Sequence, residues 1–117
     1  RGLVFFRTAS RDRVVGFYRD RLGATEWLDQ PGGCTILRLG NGLVGFCDAE
    51  RTETEGVVTL AVGDRAAVDE RYAALRDVAR GPPERNDDFD VSQFFLDDPD
   101  GRSVEVQAFL HDLPSEP

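Results

Sequence analysis

The chain has 117 residues, 40% of them apolar, and a formal net charge of -8 that comes from 22 acidic and 14 basic side chains. This length and apolar content suit one domain with one core, and no apolar run reaches the roughly 20 residues that cross a bilayer. The negative charge repels phosphates, so we expect neither nucleic acid nor a membrane surface as a partner. We therefore predict a soluble, cytoplasmic protein with a single domain over residues 1–117.

The first half of the chain predicts a strand, a helix and three further strands. A strand begins at Leu3, and Ser10 is the expected N-cap of a helix that ends at Gly23. Apolar residues follow helical spacing at Val14, Val15, Tyr18 and Leu22. Turn sequences PGG and GNG separate the three strands that come next. These strands are Thr25–Gln30, Cys34–Gly40 and Leu43–Ala49.

The second half repeats this pattern at a constant offset. Val57 begins a strand, Asp64 is an N-cap, and Tyr72 lies in the helix; the differences 57 − 3, 64 − 10 and 72 − 18 are all 54. Helical spacing includes Val68, Tyr72, Leu75 and Ala79, and the helix is expected to continue to Gly81 and Pro82. Two strands, SQFFLD and RSVEVQAF, flank a DPDG turn, and residues 79–91 replace the first of the three strands with a looser segment. We infer a duplication, with module one at 1–49, an acidic linker at 48–56 and module two at 57–117.

Alternation along four strands separates an apolar face from a mixed one. The apolar faces hold Val4 and Phe6; Val44 and Phe46; Val58, Leu60 and Val62; and Val104, Val106 and Ala108. We expect these faces to pack under the two helices. The mixed faces hold Leu3, Phe5 and Arg7; Leu43, Gly45 and Cys47; Val57, Thr59 and Ala61; and Ser103, Glu105 and Gln107. Such a face is typical of a small-molecule cavity, and we predict that Glu105 points into it, although half-buried strands also expose Glu to solvent.

The sequences VVGFYRDRLGAT and FFLDDPDGRSVEVQAF, in this duplicated arrangement, resemble the vicinal oxygen chelate superfamily of glyoxalases, bleomycin-resistance proteins and dioxygenases. The resemblance spans nearly the whole chain. It implies an α+β fold in which two βαβββ modules form an open, partly closed mixed β-barrel, with the helices packed on the outer face. It also implies a ligand on the concave face and a homodimer.

Enzymes of that superfamily hold a divalent metal on the inner strands. The resemblance maps the ligand positions at or beside Leu3, at Gly45, at or beside Val57, and at Glu105. Only Glu105 carries a ligand atom, whereas a divalent ion needs at least three protein donors. We therefore predict no metal and no cofactor.

The predicted function is metal-independent binding of a small, aromatic or cationic ligand in the concave cavity. Phe5 and Trp27 would stack on the ligand, unless they are core residues, and Glu105 would be the counter-charge. The predicted ligand-binding residues are Phe5, Arg7, Trp27, Arg38, Cys47, Thr59, Glu105 and Gln107. The acidic composition suits a cation-attracting groove, but GC-rich codon usage or a high-salt cytoplasm explains it more readily.

Two enzymatic alternatives stay open. Glu105 is the candidate catalytic residue of a metal-independent isomerase or lyase, as a general base, with Arg7 or Arg38 stabilising an oxyanion; alternatively Glu105 and Arg7 form a structural ion pair. A metal-dependent glyoxalase-like lyase or dioxygenase is less favoured. Cys34 and Cys47 are expected as free thiols, because their spacing is not CxxC and disulfides are rare in the cytosol. His111 is expected at the surface.

Overall fold

The computed structural model describes residues 1–115, which contain eight strands and two helices. Neither helix in these residues is long and apolar enough to span a bilayer. The chain divides into two compact units. Unit 1 comprises Arg1–Gly56 and Asp98–Ser103, and unit 2 comprises Val57–Asp97 and the chain from Val104 onward. The segment Asp98–Ser103, which the sequence places in module two, therefore belongs to unit 1.

Unit 1 is a four-stranded mixed sheet covered by one helix. Its elements are β1 (Leu3–Thr8), α1 (Arg11–Leu22), β2 (Thr25–Gln30), β3 (Cys34–Leu39) and β4 (Gly42–Asp48). The strand order is β1-β4-β3-β2, with β1 parallel to β4 and the other pairs antiparallel. The helix packs on β3 and β4.

Unit 2 repeats this order of elements. They are β5 (Val57–Ala61), α2 (Arg65–Leu75), β6 (Glu84–Asn86), β7 (Val91–Asp97) and β8 (Ser103–Phe109), in sheet order β5-β8-β7-β6. The first strands begin at residues 3 and 57 and the helices at 11 and 65, so the offset of 54 holds in the structure. The α+β class and the two βαβββ units are confirmed, and the strands form two separate sheets rather than one closed ladder.

The predicted apolar faces form the cores in most strands. In unit 1, Tyr18 of α1 packs on Phe46 of β4 with ring centroids 4.9 Å apart, and both residues are fully buried. In unit 2, the alternate residues of β8 are fully buried: Val104, Val106 and Ala108. Val4 is an exception, because it is 58% exposed on β1, the edge strand that α1 does not cover.

The ends of the two helices follow local chemistry. Gly23 adopts the left-handed conformation at φ 74° and ends α1, and the Asp64 side chain accepts a hydrogen bond of 2.8 Å from the Ala67 N–H at the start of α2. The prediction that α2 continues through Ala79 is wrong, because α2 ends at Leu75. Ala79 instead pairs with Leu96 in a β-bridge, so the chain runs beside β7 there.

Candidate functional site

The ring of Phe5 lies over Gly45, the position on β4 that the resemblance assigns to a metal ligand. A Cβ atom on Gly45 would lie 2.5 Å from Phe5 Cδ1, 2.6 Å from Phe5 Cε1 and 3.5 Å from Ile36 Cγ1. These distances are shorter than van der Waals contact for the two ring carbons. The space that a ligating side chain would use on β4 is therefore filled by an aromatic ring.

The other mapped positions do not supply the missing ligands. The side chains of Leu3 and Val57 have no atom that can bind a metal. Of the four mapped positions, Glu105 alone carries a ligand atom. Among residues 1–115, no three or more His, Cys, Asp or Glu side chains are grouped so that they could hold a metal ion. The side chains present do not fit the divalent metal of the superfamily enzymes.

Glu105 lies on the face of β8 opposite the buried valines, and its side chain is half-buried. The Thr59 hydroxyl of β5 donates a hydrogen bond of 2.8 Å to Glu105 Oε1. Oε2 has no hydrogen-bond or ion-pair partner within residues 1–115. Gln107, two residues along the same face, is also half-buried. The structure thus brings three predicted residues together on unit 2, with one carboxylate oxygen oriented and the other able to accept a hydrogen bond.

Phe5 and Arg7 line a cleft of about 480 Å³ on unit 1. Arg51–Glu55 of the acidic linker also line it. We call this feature the linker cleft. Phe5 is 48% exposed, so its alternative role as a core residue is excluded.

The ion-pair partner of Arg7 is Glu53. The Arg7 Nη1 atom lies 3.9 Å from Glu53 Oε2, and the two side chains are 71% and 48% exposed. An exposed pair at this distance contributes little to stability. The guanidinium of Arg7 is therefore held loosely and remains accessible.

Trp27 and Arg38 lie elsewhere on unit 1. Trp27 is 45% exposed on β2, where the register with β3 is irregular, so its alternative role as a core residue is excluded. The Arg1 guanidinium lies 5.3 Å from the centre of the Trp27 ring. Arg38 is exposed and lines a second cleft, of about 270 Å³, with Arg1 and Asn41.

The prediction of free thiols is wrong, because Cys34 and Cys47 form a disulfide. The two cysteines are directly opposite each other on the antiparallel strands β3 and β4, with Cα atoms 4.1 Å apart. Directly opposed positions on adjacent antiparallel strands bring the two side chains together. Cys47 is thus not available as a thiol to contact a ligand. His111 is exposed, as expected.

Unit 1 also contains a buried charged cluster that the sequence patterns do not predict. Asp98 Oδ2 accepts hydrogen bonds of 2.8 Å from the Tyr18 hydroxyl and 2.8 Å from Arg102 Nη1. Asp98 Oδ1 accepts from the N–H groups of Asp100 and Arg102 at 2.9 and 3.0 Å. The side chains of Asp98 and Arg102 are fully buried, and Arg102 also donates to the Glu53 carbonyl.

Aromatic rings complete the surroundings of the buried cation. The Arg102 guanidinium carbon lies 4.6 Å from the centre of Phe6 and 5.4 Å from that of Phe46, within cation–π distance. Burial of Tyr18, the negative charge of Asp98 and the hydrogen bond to it raise the pKa of the phenol well above its usual range. The DPDG sequence predicts a turn, but an Arg after a turn is usually exposed, so only the contacts show this role.

Comparisons with solved structures identify the fold. The chain is 18% identical to an integron cassette protein from the mobile metagenome of the Halifax Harbour sewage outfall, with a TM-score of 0.80 over 92% of this chain and 96% of that one. It is 21% identical to lactoylglutathione lyase from Agrobacterium tumefaciens, with a TM-score of 0.76 and 92% of each chain covered. A glyoxalase/bleomycin resistance protein/dioxygenase from Nocardioides gives 20% identity and a TM-score of 0.75 over 97% and 86% of the two chains. No family sequence model and no curated protein matches the chain.

These structures define the class of protein by its fold. The chain has the glyoxalase/bleomycin-resistance/dioxygenase fold, and the resemblance to the vicinal oxygen chelate superfamily is confirmed for the architecture. Identities at or below 21% carry no activity from one protein to the other. Function within this fold depends on the side chains of the site.

Proposed function

We propose that this protein binds a small aromatic or cationic molecule without a metal and holds it rather than converting it. The observation that supports the proposal is the lack of metal-binding side chains: Leu3, Gly45 and Val57, at or beside the positions that the resemblance maps to metal ligands, carry no ligand atom, and Phe5 fills the space above Gly45. Glu105, oriented by Thr59, is left as an acceptor for a cationic or hydrogen-bonding group of the ligand.

A thermal-shift screen tests this proposal. Aromatic cations and acidic metabolites are compared on the wild-type protein, on Glu105→Gln, and on Glu70→Gln as a matched control on an exposed helix position. A ligand at 100 times its dissociation constant adds about 2.7 kcal/mol of stability. We expect an aromatic cation to stabilise the wild type and the control, and to lose most of this effect with Glu105→Gln. Stabilisation by acidic metabolites alone would contradict the proposal.

Metal content is measured separately on protein purified without chelator. We expect well under one equivalent of transition metal per chain, because one carboxylate does not hold such an ion against water. A stoichiometric metal would contradict metal-independent binding and favour a glyoxalase-like lyase or dioxygenase.

The alternative function is a metal-independent isomerase or lyase with Glu105 as general base. The free Oε2 atom and the orienting Thr59 hydroxyl favour it, since a base must be positioned to remove a proton. Turnover that Glu105→Gln abolishes while ligand binding persists would establish this alternative.

The proposal includes a homodimer and a cytoplasmic location. Large apolar side chains are exposed at Val4, Val57 and Phe89, and symmetric dimers are the commonest oligomers. Light scattering on a sizing column should give twice the chain mass. In a cytoplasm, reducing systems keep Cys34 and Cys47 largely as thiols. Thiols in the native cell would therefore support this location, and a disulfide there would contradict it.

A further inference from the structure

The linker cleft has the size and the side chains of a ligand site. Its volume of about 480 Å³ is within the range of about 300 to 1,000 Å³ that is usual for small-molecule pockets. It is lined by side chains of unit 1 alone. An inference from it therefore goes beyond the proposed function, whose test residue is Glu105 of unit 2.

The linker wall of this cleft is fixed to β1 by hydrogen bonds. The Arg7 N–H donates to Glu53 Oε1 at 2.8 Å, and the Glu53 N–H donates back to the Arg7 carbonyl at 2.9 Å. The Ala9 N–H donates to Thr52 Oγ1 at 3.0 Å, and buried Arg102 donates to the Glu53 carbonyl. A wall held at both backbone and side chain is formed before a ligand arrives, which reduces the entropy lost on binding.

An aromatic ring also lines the cleft. The Phe5 ring lies over Gly45, and about half of the residue is exposed. One side of the ring is covered by the sheet, so the exposed part offers an apolar surface on which a flat group can stack.

The cleft contains two positive and two negative side chains. Arg7 and Glu53 pair loosely with each other. Arg51 and Glu55 have no ion-pair or hydrogen-bond partner within residues 1–115, and both are exposed. A guanidinium can bind a carboxylate through two parallel hydrogen bonds, and a carboxylate can accept from an ammonium group.

We infer that the linker cleft binds a small zwitterion of the amino-acid class that carries a flat apolar side group. The ring of such a ligand stacks on Phe5, its carboxylate binds Arg51, and its ammonium group binds Glu55. A ligand with only a carboxylate is repelled by Glu53 and Glu55, and a ligand with only an ammonium group is repelled by Arg7 and Arg51. The balance of charges in the cleft thus selects a molecule that carries both.

Three probes that share a phenyl ring test the inference: L-phenylalanine, 3-phenylpropionate, which lacks the ammonium group, and phenethylamine, which lacks the carboxylate. Two-dimensional NMR titrations of the full chain measure the affinity of each. We expect L-phenylalanine to bind at least about tenfold more tightly than either partial probe, since a hydrogen bond to a charged group contributes on that scale. Shifted signals should include the backbone amides of Arg7 and Glu53.

Two variants test the two charges separately. Arg51 and Glu55 are exposed and have no partner among the described residues 1–115, so folding should be unaffected. Arg51→Ala should weaken L-phenylalanine and 3-phenylpropionate at least about tenfold and should not weaken phenethylamine, which loses a repelling charge. Glu55→Gln should weaken L-phenylalanine and phenethylamine at least about tenfold and should not weaken 3-phenylpropionate. Arg65→Ala and Glu70→Gln, at exposed positions of α2, are matched controls that should change nothing.

Several outcomes would overturn the inference. These are a lack of L-phenylalanine binding, equal affinity for the three probes, and unchanged affinity in Arg51→Ala. Glu105→Gln should leave L-phenylalanine binding intact. A loss there would contradict a site built from unit 1 alone, whereas the thermal-shift screen tests the proposed function independently.

Discussion

Arg102 is fully buried, which is unusual because a guanidinium group is normally exposed to solvent. Here its charge is compensated by Asp98 and two aromatic rings, with both ionic side chains fully buried. Removing one partner of a buried ion pair leaves the other charge uncompensated, which typically lowers stability by about 3–5 kcal/mol.

We therefore predict that Arg102→Met lowers the free energy of unfolding in urea by about 3–5 kcal/mol. Arg65→Met, an exposed control, should change it by less than about 0.5 kcal/mol. Adding Asp98→Asn to Arg102→Met should destabilise less than the sum of the single changes, since no lone charge is then buried. Equal effects of Arg102→Met and the control would show that the pair contributes nothing.

Tyr18 gives a prediction of pH dependence. Burial and the neighbouring Asp98 raise the pKa of its phenol in the folded state, whereas the unfolded chain releases this proton near pH 10. The associated stability is fully present below about pH 10 and falls as the pH rises above that value. Urea unfolding between about pH 8 and pH 11 should show a steeper alkaline loss in the wild type than in Tyr18→Phe. Parallel curves would contradict the role of Tyr18, since Tyr72 is present in both proteins.

The contact between Phe5 and Gly45 predicts a coupled pair. Gly45→Ala should destabilise the protein by about 1–3 kcal/mol, because the new Cβ would overlap the ring and force it away. The same change should have little effect in a Phe5→Ala background, where the obstacle is gone. Gly42→Ala is the control, since its Cβ would meet only the Leu39 carbonyl oxygen at 3.6 Å. Equal losses in both backgrounds would show that the ring does not limit this position.

At the scale of elements, periodicity and turn residues predict most of the fold. β2 matches its predicted range of Thr25–Gln30, and β1 and β5 begin at the predicted Leu3 and Val57. These features depend on neighbouring residues, so they can be found in local sequence. The end of α2 could not be found in this way, since it depends on the pairing of Ala79 with Leu96 across the fold.

The disulfide that joins β3 and β4 is expected to contribute to stability. The disulfide between Cys34 and Cys47 closes a loop with a sequence separation of 13, for which loss of chain entropy in the unfolded state stabilises by up to about 3 kcal/mol. The double variant Cys34→Ser/Cys47→Ser should therefore be less stable in urea by up to this amount. Dithiothreitol should destabilise the wild type and leave the variant unchanged. A wild type that does not respond, and whose mass shows two thiols, would contradict the bond.

At the scale of the whole molecule, the duplication could be predicted from the sequence, whereas the site could be predicted only in part. The offset of 54 follows from three residue pairs and recurs in the structure. The face of Glu105 follows from alternation along one strand. The residues that contact each other could not be predicted from local sequence. Tyr18 and Asp98 are 80 residues apart, and Arg7 pairs with Glu53 of the linker. Side-chain chemistry shows what each residue can do, and only the fold determines which residues meet.

Net charge belongs to the molecule rather than to any one residue. At -8, repulsion among exposed carboxylates disfavours the compact state. The screening length falls from about 30 Å at 0.01 M salt to about 8 Å at 0.15 M, so added salt weakens this repulsion. The buried pair of Asp98 and Arg102 is screened much less, because solvent does not reach it.

We therefore expect the melting temperature to rise with sodium chloride over this range. A triple variant, Glu26→Gln/Glu70→Gln/Asp88→Asn, removes three exposed negative charges and takes the net charge from -8 to -5. It should melt at a higher temperature than the wild type in low salt and should depend less on salt, because less repulsion remains to be screened. Sucrose, which stabilises without screening charge, should raise both melting temperatures equally. A wild-type melting temperature that falls with salt would show that attractive surface pairs, such as Arg80 with Asp97, outweigh the repulsion of the excess carboxylates.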